Sequence, residues 1–90
     1  MNYKDNDKYF CTSNFYLAVF LYTKELQLID IDRSNPQRSQ FVFVDSQVRQ
    51  QLVRGYSFSE KNTLEVMVDA REFSMAIKTL KNKLYQEANI

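Results

Sequence analysis

The residues best suited to binding chemistry are four arginines placed between positions 33 and 58: Arg33, Arg38, Arg49 and Arg54. Residues 33–58 contain these four arginines and only one acidic residue, an aspartate, so the formal charge of the segment is +3. Residues 1–32 hold three basic and five acidic residues, and residues 59–90 hold five of each. A guanidinium group binds phosphate through paired hydrogen bonds and stacks on flat rings. The distribution indicates an anion-binding segment in a chain whose net charge is only +1.

Two of these arginines, Arg33 and Arg38, bracket a Ser-Asn-Pro loop that lies next to an aromatic strand. Arginine beside aromatic residues is typical of proteins that bind nucleic acid. We therefore predict that Arg33 and Arg38 contact the phosphates of DNA or RNA, and that Lys78 and Lys81 extend the track. Two alternatives stay open, namely an ordinary solvated surface and an arginine-rich protein interface.

Catalytic chemistry has little support in this composition. The chain has no histidine, which is the commonest general base and metal ligand, and its one glycine excludes a glycine-rich phosphate loop. Asp30 and Asp32 alternate along a predicted strand, but no Glu-x-Lys pattern follows them to complete a nuclease site. We expect a non-catalytic protein with no cofactor, no metal site and no small-molecule substrate.

The predicted elements that must position these residues give an α+β fold. The order is β-α-β-β-α-(β)-α, with helices packed on one face of a small, mainly antiparallel sheet. Three strands are predicted over 9–12, 27–32 and 40–44, and a short edge strand over 64–68. Helices are predicted from 15 to about 26, from 47 to a C-terminal Gly55, and from Asp69 onward. We assign 9–86 to one domain, with flexible ends at 1–8 and 87–90.

The first predicted helix is apolar on more than one side. Leu17 and Phe20 lie off its main apolar stripe, which indicates burial on several sides or a surface for a partner. The alternative to a nucleic-acid-binding module is therefore a protein-interaction adaptor that makes no contact with nucleic acid, with a partner or homodimer interface at Leu17 and Phe20. In the alternative, both side chains pack beneath the N-terminal segment or the C-terminal helix. In the next strand, Ile29 and Ile31 are predicted to face the core.

No membrane segment is predicted. The longest apolar run, Phe15–Tyr22, has eight residues, whereas a membrane span needs about 20. The first ten residues lack the apolar run of a signal peptide. We therefore expect a cytoplasmic location.

Several segments together resemble a small uncharacterised family that occurs in bacterial, archaeal and phage sequences. The similarity covers most of residues 9–86, and the segments that carry it are Tyr9–Ala18, Ile31–Arg33, Asn35–Arg38, Phe41–Ser46, Val68–Arg71, Phe73, Ala76–Lys78, Leu80–Lys81 and Leu84–Tyr85. The resemblance implies a free-standing single-domain protein carried on phage or mobile DNA. It brings no activity and no catalytic residue. The basic residues inside the matching segments are Arg33, Arg38, Arg71, Lys78 and Lys81.

Overall fold

A computed structural model describes Tyr3, residues 6–35 and residues 37–86. In chain order the elements are β1 (Tyr9–Thr12), α1 (Phe15–Thr23), β2 (Leu28–Asp32), β3 (Gln40–Val44), α2 (Gln47–Phe58), a 3-10 helix (Leu64–Val66) and α3 (Ala70–Gln86). The predicted α+β class is confirmed. Of the ends predicted to be flexible, 87–90 lies outside the described residues, and 1–8 is described only at Tyr3 and 6–8.

Side-chain caps start the three α-helices where the sequence predicts them. Asn14, Ser46 and Asp69 each accept a hydrogen bond from the backbone N–H three residues on, at 3.1, 3.1 and 3.0 Å. Such bonds satisfy N–H groups that have no partner within the helix. Among the described residues, no helix has both the length and the apolar character that crossing a membrane requires.

The sheet has the strand order β1-β3-β2, and β3 is antiparallel to both neighbours. β1 and β2 therefore run parallel on either side of β3, and α1 connects them across it. A bulge in β2 between Leu28 and Asp30 shifts the register at Ile29. The prediction that Ile29 faces the core is wrong, because the extra residue turns it outward, whereas Ile31 is buried as predicted.

The core forms around α1, which the sheet, α2 and α3 surround. Five consecutive residues, Leu17–Leu21, are buried, and they cluster with Phe41 and Phe43 of β3 and Leu80 of α3. Leu17 is only 8% exposed and Phe20 only 2% exposed. The predicted partner interface at Leu17 and Phe20 is therefore wrong. These side chains fill space inside the chain, and the ring of Phe20 packs on Tyr56 of α2.

The segment after α2 also differs from the prediction. Leu64-Glu65-Val66 has the alternation of a strand but forms a 3-10 helix that packs against α2. Gly55 does not end α2, which continues to Phe58. A Cβ at Gly55 would lie 3.2 Å from Cγ1 of Val66. The glycine therefore allows the 3-10 helix to approach α2 closely.

Candidate functional site

A groove of about 760 Å³ lies at the end of the molecule where α1 begins and α3 ends. Phe15, Phe41 and Leu84 supply its apolar lining. Its polar and exposed lining comes from Ser13, Arg33, Gln37, Arg38, Ser39 and Tyr85. Two of the four predicted nucleic-acid-binding residues, Arg33 and Arg38, thus lie together at one groove.

The loop between β2 and β3 presents Arg38 at this groove. Short-range hydrogen bonds fold the loop. The backbone N–H of Ser34 donates to the Asp32 side chain at 2.9 Å, and the backbone N–H of Arg38 donates to the Asn35 carbonyl at 3.0 Å. Asp and Asn commonly form such local turns. Nε of Arg38 then donates to Oγ of Ser13 at 2.9 Å, just before α1. Arg38 is exposed, so a ligand in the groove can reach its guanidinium group.

Arg33 has a different role from Arg38, although both lie in the same loop. Its Nη2 atom donates to the carbonyls of Lys83 at 3.2 Å and Leu84 at 2.6 Å. These carbonyls belong to the last turn of α3, where no N–H of the helix itself can satisfy them. A positive charge there also interacts favourably with the helix dipole. Arg33 thus attaches the end of α3 to the sheet and holds the groove wall in place.

Lys78 and Lys81 lie on the exposed side of α3, in line with the groove. Lys78, Lys81 and Tyr85 follow one another at i, i+3 and i+7, so they occupy one stripe of the helix surface. All three are exposed, and Tyr85 lines the groove. The rise from Lys78 to Tyr85 is about 10 Å at 1.5 Å per residue. We call Arg38, Tyr85, Lys81 and Lys78 the basic track, because together they lead from the groove along α3.

Tyr85 also lines the groove, although it is not among the site residues that the sequence predicts. Its side chain is 64% exposed, which is unusual for a large aromatic residue. Beside it, the rings of Phe15 and Phe41 pack with centroids 5.9 Å apart. Because Phe41 is only 2% exposed, the rings that a ligand in the groove can reach are those of Tyr85 and the half-buried Phe15, next to positive charge. The signal that could have identified Tyr85 is its position four residues after Lys81 on the exposed side of the helix.

The other two arginines of the basic segment lie outside the groove lining. Arg49 forms a double hydrogen bond to the Asp45 carboxylate, at 2.7 and 3.1 Å. Its guanidinium carbon also lies 4.2 Å from the centroid of the Phe10 ring. The hydrogen bond from Arg49 lowers the pKa of Asp45 below its usual value. Arg49 thus connects α2 to β1, and Arg54 is an exposed residue of α2.

The paired carboxylates Asp30 and Asp32 lie on the sheet face opposite the core helices. Asp30 accepts from Oη of Tyr3 at 2.9 Å, and this hydrogen bond raises the pKa of Tyr3. The Tyr3 ring also meets the ring of Tyr9 edge-on, with centroids 5.2 Å apart. Asp32 accepts from the hydroxyl of Ser34. Within the described part of the chain, no three His, Cys, Asp or Glu side chains approach closely enough to hold a metal ion.

One comparison with known proteins gives a match. A family model described as "Domain of unknown function (DUF5659)" matches residues 7–86 of this chain. No curated protein and no solved structure gives a significant match.

Proposed function

We propose that this chain, which belongs to the family of the DUF5659 domain of unknown function, is a non-catalytic module. In this proposal it binds single-stranded nucleic acid along the basic track. The observation that carries the proposal is the meeting of exposed Arg38 and exposed Tyr85 at one groove. Arginine supplies the phosphate contact, and tyrosine supplies a surface on which a base stacks.

A single strand fits this site better than a duplex. The aromatic surfaces of the groove can be used only by bases that are unstacked and turned toward the protein. Base stacking on an aromatic side chain contributes about 1–3 kcal/mol per base and tolerates any sequence. Lys81 and Lys78 then follow the backbone of the strand along α3. Stacking and phosphate contacts do not distinguish the four bases, so binding is expected to depend little on the sequence of the nucleic acid.

In this proposal the chain is an accessory protein of a phage or a mobile element and acts in the cytoplasm. Strands that are exposed during replication or transcription are the ligands this proposal requires. The modest charge of the track suits transient contact more than permanent coating of a strand, because each phosphate contact adds only one salt-dependent increment of affinity.

The experiment is an anisotropy titration of labelled oligonucleotides of about 16 nucleotides, near the upper limit of single-strand site sizes. We expect single-stranded DNA or RNA to bind more tightly than the matching duplex. With three cationic contacts, log K should fall against log salt with a slope of about −2 for a single strand. Affinity should therefore drop roughly 20-fold between about 50 and about 200 mM salt.

The test variant is Arg38→Gln/Lys81→Gln, and its matched control is Lys8→Gln/Arg54→Gln. Both doubles remove two exposed positive charges, but only the first removes them from the basic track. We expect at least about a tenfold loss for the first variant and little change for the control. Equal losses in both variants, a preference for the duplex, or no binding at low salt would each contradict the proposal.

A further inference from the structure

A second opening adjoins the groove at Arg38. This cleft, of about 370 Å³, lies between the loop that joins β2 to β3 and the start of β3. Its lining among the described residues consists of Asp32, Ser34, Asn35, Arg38 and Gln40, and we call it the side cleft. Because Arg38 also lines the groove, a strand whose phosphate binds Arg38 has its adjoining atoms within reach of the side cleft.

Gln40 presents a buried hydrogen-bond acceptor at the side cleft. It is the first residue of β3 and lies directly opposite Asp32 of β2, so both side chains project from the sheet face opposite the core helices. The amide oxygen Oε1 of Gln40 is buried, and no donor in the described part of the chain reaches it. Most buried polar side-chain atoms in folded proteins have a hydrogen-bond partner. A ligand that donates to Oε1 therefore gains a hydrogen bond without breaking one inside the protein.

The loop holds the other side chains of the side cleft in place. Asp32 accepts from the backbone N–H and the hydroxyl of Ser34. Asn35 accepts through Oδ1 from the backbone N–H of Gln37 at 3.1 Å, and its side-chain NH2 group is still able to donate. The side cleft thus offers an acceptor at Gln40 and a donor at Asn35. A hydroxyl group, which both donates and accepts, suits both kinds of partner.

We propose that the side cleft binds the 2′-hydroxyl of a ribose, so that the protein prefers single-stranded RNA to single-stranded DNA. The inference rests on the proposed function, because it places a phosphate of the strand at Arg38. Nε of Arg38 donates to Ser13, and Nη1 and Nη2 have no partner among the described residues, so they are available to that phosphate. The 2′-hydroxyl is attached to the ring carbon next to the one that bears the 3′ phosphate. Phosphate binding at Arg38 therefore brings this hydroxyl to the side cleft, where it donates to Oε1 of Gln40.

A ribose hydroxyl fits the side cleft better than a base does. Every nucleotide of an RNA strand carries a 2′-hydroxyl, whereas the donors of the bases differ from one base to the next. The bases stack on Tyr85, which lines the groove and not the side cleft. DNA carries only hydrogen at the 2′ carbon in place of the hydroxyl, so a bound DNA strand leaves Oε1 of Gln40 without a donor. Discrimination between RNA and DNA is thus independent of the base sequence.

The experiment is an anisotropy titration that compares oligouridylate with oligodeoxyuridylate, both of about 16 nucleotides. The two strands have the same bases and phosphates and differ only at the 2′ position. We expect wild type to bind the RNA strand about three- to tenfold more tightly, the effect of one added hydrogen bond. A 2′-fluoro strand, which keeps an RNA-like sugar but lacks the O–H donor, should bind like DNA. Oligoadenylate should likewise bind more tightly than oligodeoxyadenylate.

The test variant is Gln40→Met, which keeps the length of the side chain but removes its hydrogen-bonding atoms. It should bind the RNA and DNA strands equally. The matched control is Gln51→Met, which alters an exposed residue of α2 outside the lining of the groove and of the side cleft. The control should keep the preference of wild type for RNA. Circular dichroism checks that both variants are folded.

Four results would overturn the inference. They are equal binding of RNA and DNA by wild type, a 2′-fluoro strand that binds as tightly as RNA, a preference confined to one base, and a preference that persists in Gln40→Met. Equal binding of RNA and DNA that is still weakened by Arg38→Gln/Lys81→Gln would leave the proposed function standing. The absence of binding to any single strand would contradict both proposals.

Discussion

Phe20→Ala is expected to lower the free energy of unfolding by about 3–5 kcal/mol, the range for truncating a buried phenylalanine. The ring is only 2% exposed, lies 5.0 Å from the ring of Tyr56 and has Nζ of Lys24 5.8 Å from its centroid. Removing it leaves a cavity at the junction of α1 and α2. Small domains have only about 5–15 kcal/mol of total stability, so this loss is a large fraction of it and should lower the urea midpoint of the variant well below that of wild type.

The matched control is Phe58→Ala, which removes the same ring from a position that is 83% exposed. Urea unfolding should show a change in the free energy of unfolding within about 0.5 kcal/mol for the control. Equal losses for the two variants would show that Phe20 is not part of the core. This comparison tests the packing of α1 directly, because both variants delete the same atoms.

Arg33→Gln is expected to cost about 1.5–3 kcal/mol of stability, the range for hydrogen bonds made by a charged group. The substitution removes the charged guanidinium group that donates hydrogen bonds to the carbonyls of Lys83 and Leu84. The last turn of α3 should therefore open more often, and its amides should exchange faster with solvent. Urea unfolding gives the loss of stability, and amide exchange locates it.

Arg38→Gln is the control for this prediction, since it changes the same residue type in the same loop. Arg38 is exposed, and its bond to the Ser13 hydroxyl is a surface contact. We expect a change in stability within about 0.5 kcal/mol for this variant. A larger loss from Arg38→Gln than from Arg33→Gln would contradict the division of roles between the two arginines.

Local signals in the sequence predicted most of the elements. The cap residues Asn14, Ser46 and Asp69 fix where the helices begin, and the aromatic and β-branched strand Gln40–Val44 is the centre of the sheet. Such features depend on neighbours along the chain, so they can be recognised without the fold. The bulge at Ile29 and the 3-10 helix at Leu64–Val66 depend on packing between distant segments. Alternation alone could not distinguish them from regular strand.

For the candidate site, the sequence predicted which residues take part but not how they are arranged. The sequence identifies Arg33 and Arg38 as basic residues of one loop, but it cannot show that the end of α3 reaches one of them and not the other. The placement of Tyr85 at the same groove likewise depends on the tertiary packing of α3. The burial of Leu17 and Phe20 could not be predicted for a related reason, because it depends on where α2 and α3 pack against α1.

The most direct test of the proposed function is amide chemical-shift mapping by heteronuclear NMR during titration with an unlabelled single-stranded oligothymidylate at low salt. We expect shifts concentrated at the groove and the end of α3, at Ser13, Arg38, Ser39, Lys81 and Tyr85. The amides of Phe58 and Leu64, which do not line the groove, should be unaffected. Shifts that concentrate at Phe58 and Leu64, or no shifts at millimolar oligonucleotide, would contradict the assignment of the basic track as a nucleic-acid-binding surface.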